Sequence, residues 1–136
     1  VVATDSSTSV IEKAKKGVYE KVVLARGMSE DYLEKFFKKR DSENWEVKES
    51  IRAKIDFKEF NLMDRFDPLG KFDIVFCRNV LIYFSPALKE EILKKIYSVL
   101  KPDGILFLGS SESIAANYSH LFQMENANPG IFYRKK

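Results

Sequence analysis

Residues 72–84 have the sequence FDIVFCRNVLIYF, and this stretch decides the fold. The apolar, partly β-branched run that follows Phe72 and Asp73 predicts a buried strand, which ends before the polar triplet Cys77-Arg78-Asn79. In an open α/β sheet, ligands bind outside the carboxyl ends of the strands. The pattern therefore places Arg78 and Asn79 at a ligand crevice; the alternative is a buried strand followed by a polar turn without a ligand.

Composition narrows the class of protein. The 136 residues are 45% hydrophobic and 32% charged, which is typical of one soluble globular domain. A net charge of +3 from 23 basic and 20 acidic residues is too small to indicate a nucleic-acid partner. The apolar runs are far shorter than the roughly 20 residues of a membrane span, so we expect no membrane insertion. Cys77 is the single cysteine, which excludes an internal disulfide and favours the cytoplasm.

The first half of the chain predicts strand, helix and then a change of character. Val1–Thr4 has the pattern of a strand end, Ser9–Lys16 has one apolar helical face, and Ser29 is a helix cap candidate. Between about residues 40 and 60, apolar and polar residues alternate, which predicts a small antiparallel β insertion whose last segment rejoins the main sheet before Asn61. An extended surface hairpin is the alternative.

The second half predicts further α/β units. A strand over 72–76 leads to a helix that begins at Pro86, and Pro102-Asp103-Gly104 forms a turn before a strand over Ile105–Leu108. Alternation of strands and helices indicates an α/β fold with a parallel sheet. We expect a last strand at Ile131-Phe132-Tyr133, followed by Arg134-Lys135-Lys136 as a solvated tail.

The run from Phe76 to Phe84 resembles the FCRN-x-x-IYF segment of the chemotaxis receptor methyltransferases, the CheR family. Four further motifs follow the order of that family: Ala3-Thr4-Asp5, Asn61-Leu62, Leu100-Lys101-Pro102-Asp103-Gly104 and Gly109-Ser110-Ser111-Glu112-Ser113. The resemblance implies a Rossmann-like S-adenosylmethionine-dependent fold. It also implies S-adenosylmethionine as cofactor, S-adenosylhomocysteine as product, and transfer of the methyl group to glutamate side chains of a chemoreceptor cytoplasmic domain.

The resemblance also assigns the cofactor-binding residues. Asp5 corresponds to the acid that contacts the adenosine ribose, although its position alone favours a helix N-cap. Asn61 and Leu62 correspond to positions that flank the adenine, a role that the pair alone does not indicate. Arg78 and Asn79 correspond to the pair near the methionine part; the alternatives are a surface ion pair for Arg78 and a turn for Asn79.

Tyr83 and Arg78 are the predicted catalytic residues, because the family has a tyrosine beside the reaction centre; otherwise Tyr83 is a core tyrosine. A carboxylate is already ionised at neutral pH, so methyl transfer needs positioning rather than a general base. Neither His120 nor Cys77 belongs to a metal-binding motif, and no metal is expected. Glu112 is a candidate for the site edge. Trp45 is predicted to be an exposed, substrate-binding aromatic of the β insertion, or else a cap on its small core.

No glycine-rich G-x-G motif is present, although the resembled family has a glycine-containing stretch upstream of this segment. We therefore expect residues 1–136 to be a partial methyltransferase domain, weakly active or inactive alone. Without the first strand, we expect unpaired strand edges and self-association. A nicotinamide-dependent oxidoreductase shares the strand-end acid but does not predict Arg78-Asn79 and Tyr83. A non-catalytic receptor-binding or scaffold module stays open as the second interpretation.

Overall fold

The chain forms two compact units, residues 1–61 and residues 62–136, in a computed structural model that describes residues 1–128 and 130–136. The elements of the first unit are β1 (Val2–Asp5), α1 (Thr8–Lys16), β2 (Val18–Glu20), α2 (Lys21–Leu24), α3 (Glu30–Phe36), β3 (Phe37–Lys39), β4 (Asn44–Val47), α4 (Glu49–Arg52) and β5 (Asp56–Glu59). Those of the second unit are β6 (Phe72–Cys77), α5 (Pro86–Val99), β7 (Leu100–Leu108), β8 (Phe122–Ala127) and β9 (Gly130–Lys135). Both helices and strands occur in each unit, which confirms the predicted α/β class.

In the first unit, β1 and β5 pair in parallel, from Val2 opposite Asp56 to Asp5 opposite Glu59. The helix between them, α1, begins at the cap Ser7 and ends at Gly17, whose φ of 65° is left-handed. Glycine accepts that conformation without the steric cost that a Cβ brings. The 40–60 segment was expected to rejoin the main sheet before Asn61; its last strand, β5, pairs with β1 in a separate sheet of two strands.

The antiparallel sheet of the first unit has the strand order β2-β4-β3. An insertion at about residues 40–60 was expected, but of the three strands of this sheet only β4 lies in that range. Strands β2 and β3 precede it in the chain. Residues 49–52 form helix α4 rather than a strand, so the alternation was misleading there. Pairing between residues that are distant in sequence determines this sheet: Val18 lies opposite Glu46, and Phe37 lies opposite Val47.

In the second unit, a four-stranded sheet has the order β6-β7-β9-β8. Strands β6 and β7 are parallel, whereas β9 is antiparallel to both of its neighbours. Helix α5 covers one face of this sheet. It begins where the Ser85 hydroxyl accepts a hydrogen bond from Leu88 N at 3.4 Å. The residues that form the core on this side are each at most 3% exposed: Ile92, Leu93, Ile96, Val99, Leu100, Leu106 and Phe122.

Strand β6 is not buried on both faces, contrary to the prediction. Its Ile74 and Phe76 are 49% and 69% exposed, and the Phe76 ring stacks on Phe107 with 5.0 Å between centroids. The reason is its place at the edge of the sheet, since among the described residues β6 pairs with β7 alone. Cys77, on the opposite face, is buried as expected.

The predicted solvated tail is also wrong, because Arg134 and Lys135 belong to strand β9. The Arg134 guanidinium binds Glu125 of β8 at 2.6 Å, and Lys135 Nζ donates to the carbonyl groups of Tyr97 and Leu100 at 2.8 and 2.7 Å. These partners hold both cations on the sheet. Within the described part of the chain, no helix has the length and apolar character that crossing a bilayer requires.

Candidate functional site

The carboxyl ends of β1 and β5 bring two of the predicted residues together. Because the two strands are parallel, both end at the same edge, and Phe60 N donates to the Asp5 carbonyl at 2.9 Å. This hydrogen bond places the segment that contains Asn61 beside Asp5. Asp5 is half-buried, and Asn61 is exposed. The first unit therefore carries a carboxylate and an amide at one sheet edge.

Asp5 is not the N-cap of α1. Ser7 has that position, and its hydroxyl accepts from Val10 N at 3.5 Å. The Asp5 carboxylate accepts instead from Ser7 N at 2.8 Å, through Oδ1. This contact fixes the side chain at the turn after β1. A carboxylate has about four acceptor sites, so one hydrogen bond leaves capacity for a ligand hydroxyl.

In the second unit, three of the predicted residues lie on one loop after β6. Cys77 lies opposite Leu108 in the parallel pair β6-β7, so the loops that follow both strands leave the same edge of the sheet. Arg78 and Asn79 begin the first of these loops, and Tyr83 lies in a 3-10 turn over Leu81–Tyr83. We call residues 78–83 the strand-end loop.

Glu112 holds the strand-end loop by its backbone. Glu112 Oε2 accepts from the N–H groups of Asn79 and Gly109, both at 2.7 Å. Glu112 Oε1 accepts from Val80 N at 3.0 Å and from Ile82 N at 3.3 Å. One carboxylate thus joins the end of β7 to the loop that follows β6. The sequence indicated Glu112 only as a candidate for the site edge.

These contacts also set the charge state of Glu112. Partial burial acts to raise the pKa of the Glu112 carboxyl, but the backbone donors outweigh it, and the pKa lies below its ordinary value of 4.5. Glu112 is therefore ionised at neutral pH. The negative charge of Glu112 acts on Cys77 as well: burial, and secondly this carboxylate, raise the pKa of the Cys77 thiol to about 11. Cys77 is a neutral thiol rather than a nucleophile.

Arg78, Asn79 and Tyr83 of the strand-end loop are open to solvent, whereas Leu81 of the same loop is buried. Tyr83 is 81% exposed, which excludes the alternative that it is a core tyrosine. Arg78 is exposed and forms no ion pair with the residues that the structure describes, so the surface ion pair is excluded there too. Asn79 has a φ of 58°, as expected of a turn residue, and its side chain is exposed. The loop borders an open cleft of about 310 Å³ that the sequence did not indicate.

Leu62 and Trp45 are the remaining predicted site residues. Leu62 is half-buried, and its carbonyl accepts a hydrogen bond from Lys95 Nζ at 3.4 Å. Trp45 is not the exposed aromatic that the sequence predicted. It lies half-buried in the central strand β4, and its indole Nε1 is buried with no hydrogen-bond partner among the described residues. No group of three potential metal ligands occurs among the described residues.

Comparison with known proteins gives a consistent result. A family model described as "CheR methyltransferase, SAM binding domain" matches residues 1–131. The chain is 47% identical over all 136 residues to "Chemotaxis protein methyltransferase Cher2" of Pseudomonas putida and 46% identical to "Chemotaxis protein methyltransferase 1" of Pseudomonas aeruginosa. It covers 49% of each of these proteins, so it spans about half of their length.

A more distant relative has a similar name. The chain is 37% identical to the "Chemotaxis protein methyltransferase" of Escherichia coli, over 89% of this chain and 42% of that protein. A solved structure of an O-methyltransferase family protein from Burkholderia thailandensis aligns with a TM-score of 0.45 at 16% identity, over 64% of this chain and 37% of that one. That structural likeness is too slight to support a conclusion, so the family match carries the assignment.

Proposed function

The chain belongs to the CheR methyltransferase family, whose S-adenosylmethionine-binding domain matches residues 1–131, and on this premise we propose that it contributes to methylation of chemoreceptor glutamate side chains. S-adenosylmethionine is the methyl donor that this domain of the family binds. The relatives named as chemotaxis methyltransferases support the activity. We place the reaction in the cytoplasm, on the cytoplasmic domain of a receptor.

The polar groups at the two strand edges are suited to this cofactor. A carboxylate such as Asp5, held at a strand end, accepts hydrogen bonds from a ribose diol. Asn61 offers donors and acceptors for the adenine, with Leu62 as apolar surface. Arg78 has no ionic partner among the described residues and pairs well with the carboxylate of an amino acid. In the proposed assignment, Arg78 and Asn79 bind the methionine part.

When bound, the cofactor supplies a sulfonium methyl group, which passes to a glutamate oxygen and leaves S-adenosylhomocysteine. The residues of this chain then have to orient the reactants rather than move protons, because the acceptor is already a carboxylate. Tyr83 is proposed to donate its phenolic hydrogen bond to the acceptor carboxylate and fix its direction. Arg78 is proposed to hold the negative charge of the reactants in the site. Neutral Cys77 takes no part.

We propose that the antiparallel sheet β2-β4-β3 helps to bind the receptor. Trp45 lies on its central strand, between Tyr19 of β2 and Lys39 of β3. Trp45 is half-buried, so part of its side chain is accessible to a partner. Replacement of Trp45 by Phe tests this role, because the change keeps an aromatic ring but leaves less side-chain surface for the receptor. We expect a higher KM for the receptor with little change in kcat.

The observation that carries the proposal is the exposed strand-end loop, with Arg78, Asn79 and Tyr83 at the carboxyl end of β6, in a chain of this family. The test is methyl transfer from radiolabelled S-adenosylmethionine to a purified receptor cytoplasmic domain by the full-length gene product. A methyl ester is identified by its release as methanol in alkali. A receptor whose acceptor glutamates are replaced by glutamine is the control.

Alkali-labile label on the wild-type receptor, and none on the control, is the expected result. Receptor binding without transfer would instead support the second interpretation, a non-catalytic receptor-binding or scaffold module. Alkali-stable label would contradict transfer to a carboxylate.

We further propose that the isolated 136-residue chain self-associates through β6. Among the described residues, β6 pairs with β7 alone, so its other edge has no partner strand. The side chains of Ile74 and Phe76 on β6 are also exposed. Unpaired edges with exposed apolar side chains add strands from other copies. Light scattering measures the mass, and Phe76→Lys is expected to give the monomer. A monomeric wild-type chain would contradict this proposal.

A further inference from the structure

The backbone of the strand-end loop has few partners of its own. Residues 78–80 lie outside helices and strands, and within the loop the Tyr83 N–H bonds weakly to the Val80 carbonyl at 3.3 Å. The N–H groups of Asn79, Val80 and Ile82 all point to Glu112. Because unpaired backbone donors are costly, this single carboxylate determines which conformation of the loop is stable.

The conformation that Glu112 selects is an unusual one. Asn79 has left-handed backbone angles, with a φ of 58°, which non-glycine residues adopt at some energetic cost. The hydrogen bond from Asn79 N to Glu112 Oε2 is one of the two shortest that Glu112 accepts, at 2.7 Å. A hydrogen bond to an ionised acceptor is stronger than one to a neutral acceptor. Loss of that acceptor should therefore let Asn79 return to more common angles and move the residues around it.

The surroundings of Gly109 show how closely the end of β7 packs against Glu112 and Asn79. A Cβ atom at Gly109 would collide with Asn79 Oδ1, and it would lie 2.7 Å from Glu112 Oε2 and 2.9 Å from Asn79 N. The end of β7, the Glu112 carboxylate and Asn79 therefore meet with no space for another methyl group. A change at Gly109 or at Glu112 should move the same loop.

Glu112 itself has no capacity for a ligand. A carboxylate offers about four acceptor sites. The two Glu112 oxygens accept from four backbone N–H groups, two at each oxygen. We propose that Glu112 is a positioning residue for the methyl transfer: its carboxylate orients the backbone of the strand-end loop and thereby sets the directions of Arg78, Asn79 and Tyr83. This inference rests on the proposed function, and it assigns to Glu112 a role without direct contact to cofactor or substrate.

The test replaces Glu112 by Gln in the full-length gene product. The amide of Gln presents an NH₂ group where one oxygen was, so two backbone donors would face another donor. Three quantities are measured: amide hydrogen exchange of the peptide that contains residues 78–84, the affinity for S-adenosylhomocysteine, and the kinetic constants. Glu91→Gln, which removes an exposed carboxylate of α5 that pairs with Lys95, is the matched control.

We expect exchange in the loop peptide to rise, and affinity for S-adenosylhomocysteine to fall, by about tenfold or more in Glu112→Gln. The same quantities should be unchanged in Glu91→Gln. Gly109→Ala should reproduce the effect, and the double variant should be no worse than the worse single variant, because both changes act at one contact. Should Glu112→Gln not fold, Glu112→Asp keeps the charge with a shorter reach and should give a smaller effect of the same kind.

Two results would overturn the positioning role. Weaker affinity with unchanged loop exchange would mean that Glu112 contacts the ligand directly. Faster loop exchange with unchanged affinity and kinetics would mean that the contact is structural only. A wild-type protein that binds S-adenosylhomocysteine but methylates no receptor would contradict the proposed function instead, and exchange and affinity would still decide the role of Glu112.

Discussion

Replacement of Tyr83 by Phe removes one oxygen atom from an open position. The Tyr83 side chain is 81% exposed in the 3-10 turn of the strand-end loop. Such surface substitutions change the free energy of unfolding by less than about 0.5 kcal/mol. A loss of activity in Tyr83→Phe can therefore be separated from a loss of folding.

The expected loss of activity follows from the proposed hydrogen bond to the acceptor carboxylate. A hydrogen bond to a charged group contributes about 1.5–3 kcal/mol. Since 1.36 kcal/mol corresponds to a tenfold change in rate, kcat/KM for the receptor should fall about 10- to 150-fold. Affinity for S-adenosylhomocysteine should be almost unchanged, because Tyr83 is assigned to the acceptor rather than to the cofactor.

The assay measures methyl transfer at varied receptor concentration, calorimetric binding of S-adenosylhomocysteine, and urea unfolding, all on the full-length gene product. Tyr32→Phe is the matched control, because Tyr32 is 57% exposed on α3, in the other unit. An unchanged kcat/KM in Tyr83→Phe would refute the proposed role. A fall in unfolding free energy above about 1 kcal/mol would refute the argument from exposure.

Three further predictions concern the cofactor, the sheet and the anchoring carboxylate. Arg78→Met should weaken binding of S-adenosylhomocysteine by about tenfold or more in calorimetry, because a charge-assisted hydrogen bond is lost. The control Arg26→Met, at an exposed position, should bind like the wild type. Equal affinities of Arg78→Met and the wild type would contradict the role of Arg78. Lys135→Met should lower the free energy of unfolding by about 1.5–3 kcal/mol in urea, because Lys135 Nζ donates to the carbonyl groups of Tyr97 and Leu100. The control is Lys13→Met, at an exposed position of α1. Equally small changes in the two variants would contradict a stabilising role of Lys135. The pKa of Glu112 is lowered on folding, so its contribution to stability should be complete above its ordinary pKa of 4.5 and should be lost as the pH falls through the lower folded value. The difference in unfolding free energy between wild type and Glu112→Gln should then shrink on acidification, since the neighbouring Cys77 stays neutral throughout; a difference that grows would contradict this account.

Signals that act within a few residues predicted the structure well. The cap at Ser29 and the start of α5 at Pro86 are both present in the structure, because caps and turns depend on local backbone chemistry. The spacing of apolar residues in α5 is likewise a local signal, since Ile92 and Ile96 lie one helical turn apart and are both buried. The strand ending at Cys77 was predicted at almost its full length.

Features that depend on distant partners were predicted poorly. The antiparallel sheet pairs Val18–Glu20 with Asn44–Val47, and nothing local at Val18 indicates that partner. Arg134 appeared to belong to a charged tail, whereas Glu125 across the β8-β9 pair compensates its charge. The contact between Glu112 and the strand-end loop also joins residues that are distant in sequence, since Asn79 and Glu112 are 33 positions apart. The resemblance in residues 76–84 located the candidate site, but it did not indicate what holds that site in place.

The most direct test of the central claim is calorimetric titration of S-adenosylhomocysteine into the full-length gene product, beside the isolated 136-residue chain. We predict micromolar binding to the full-length product, weakened in Arg78→Met and unchanged in Arg26→Met, and weaker or undetectable binding to the isolated chain. No binding to the wild-type full-length product, or the same affinity in Arg78→Met as in the wild type, would contradict the proposal that the strand-end loop is part of a cofactor site.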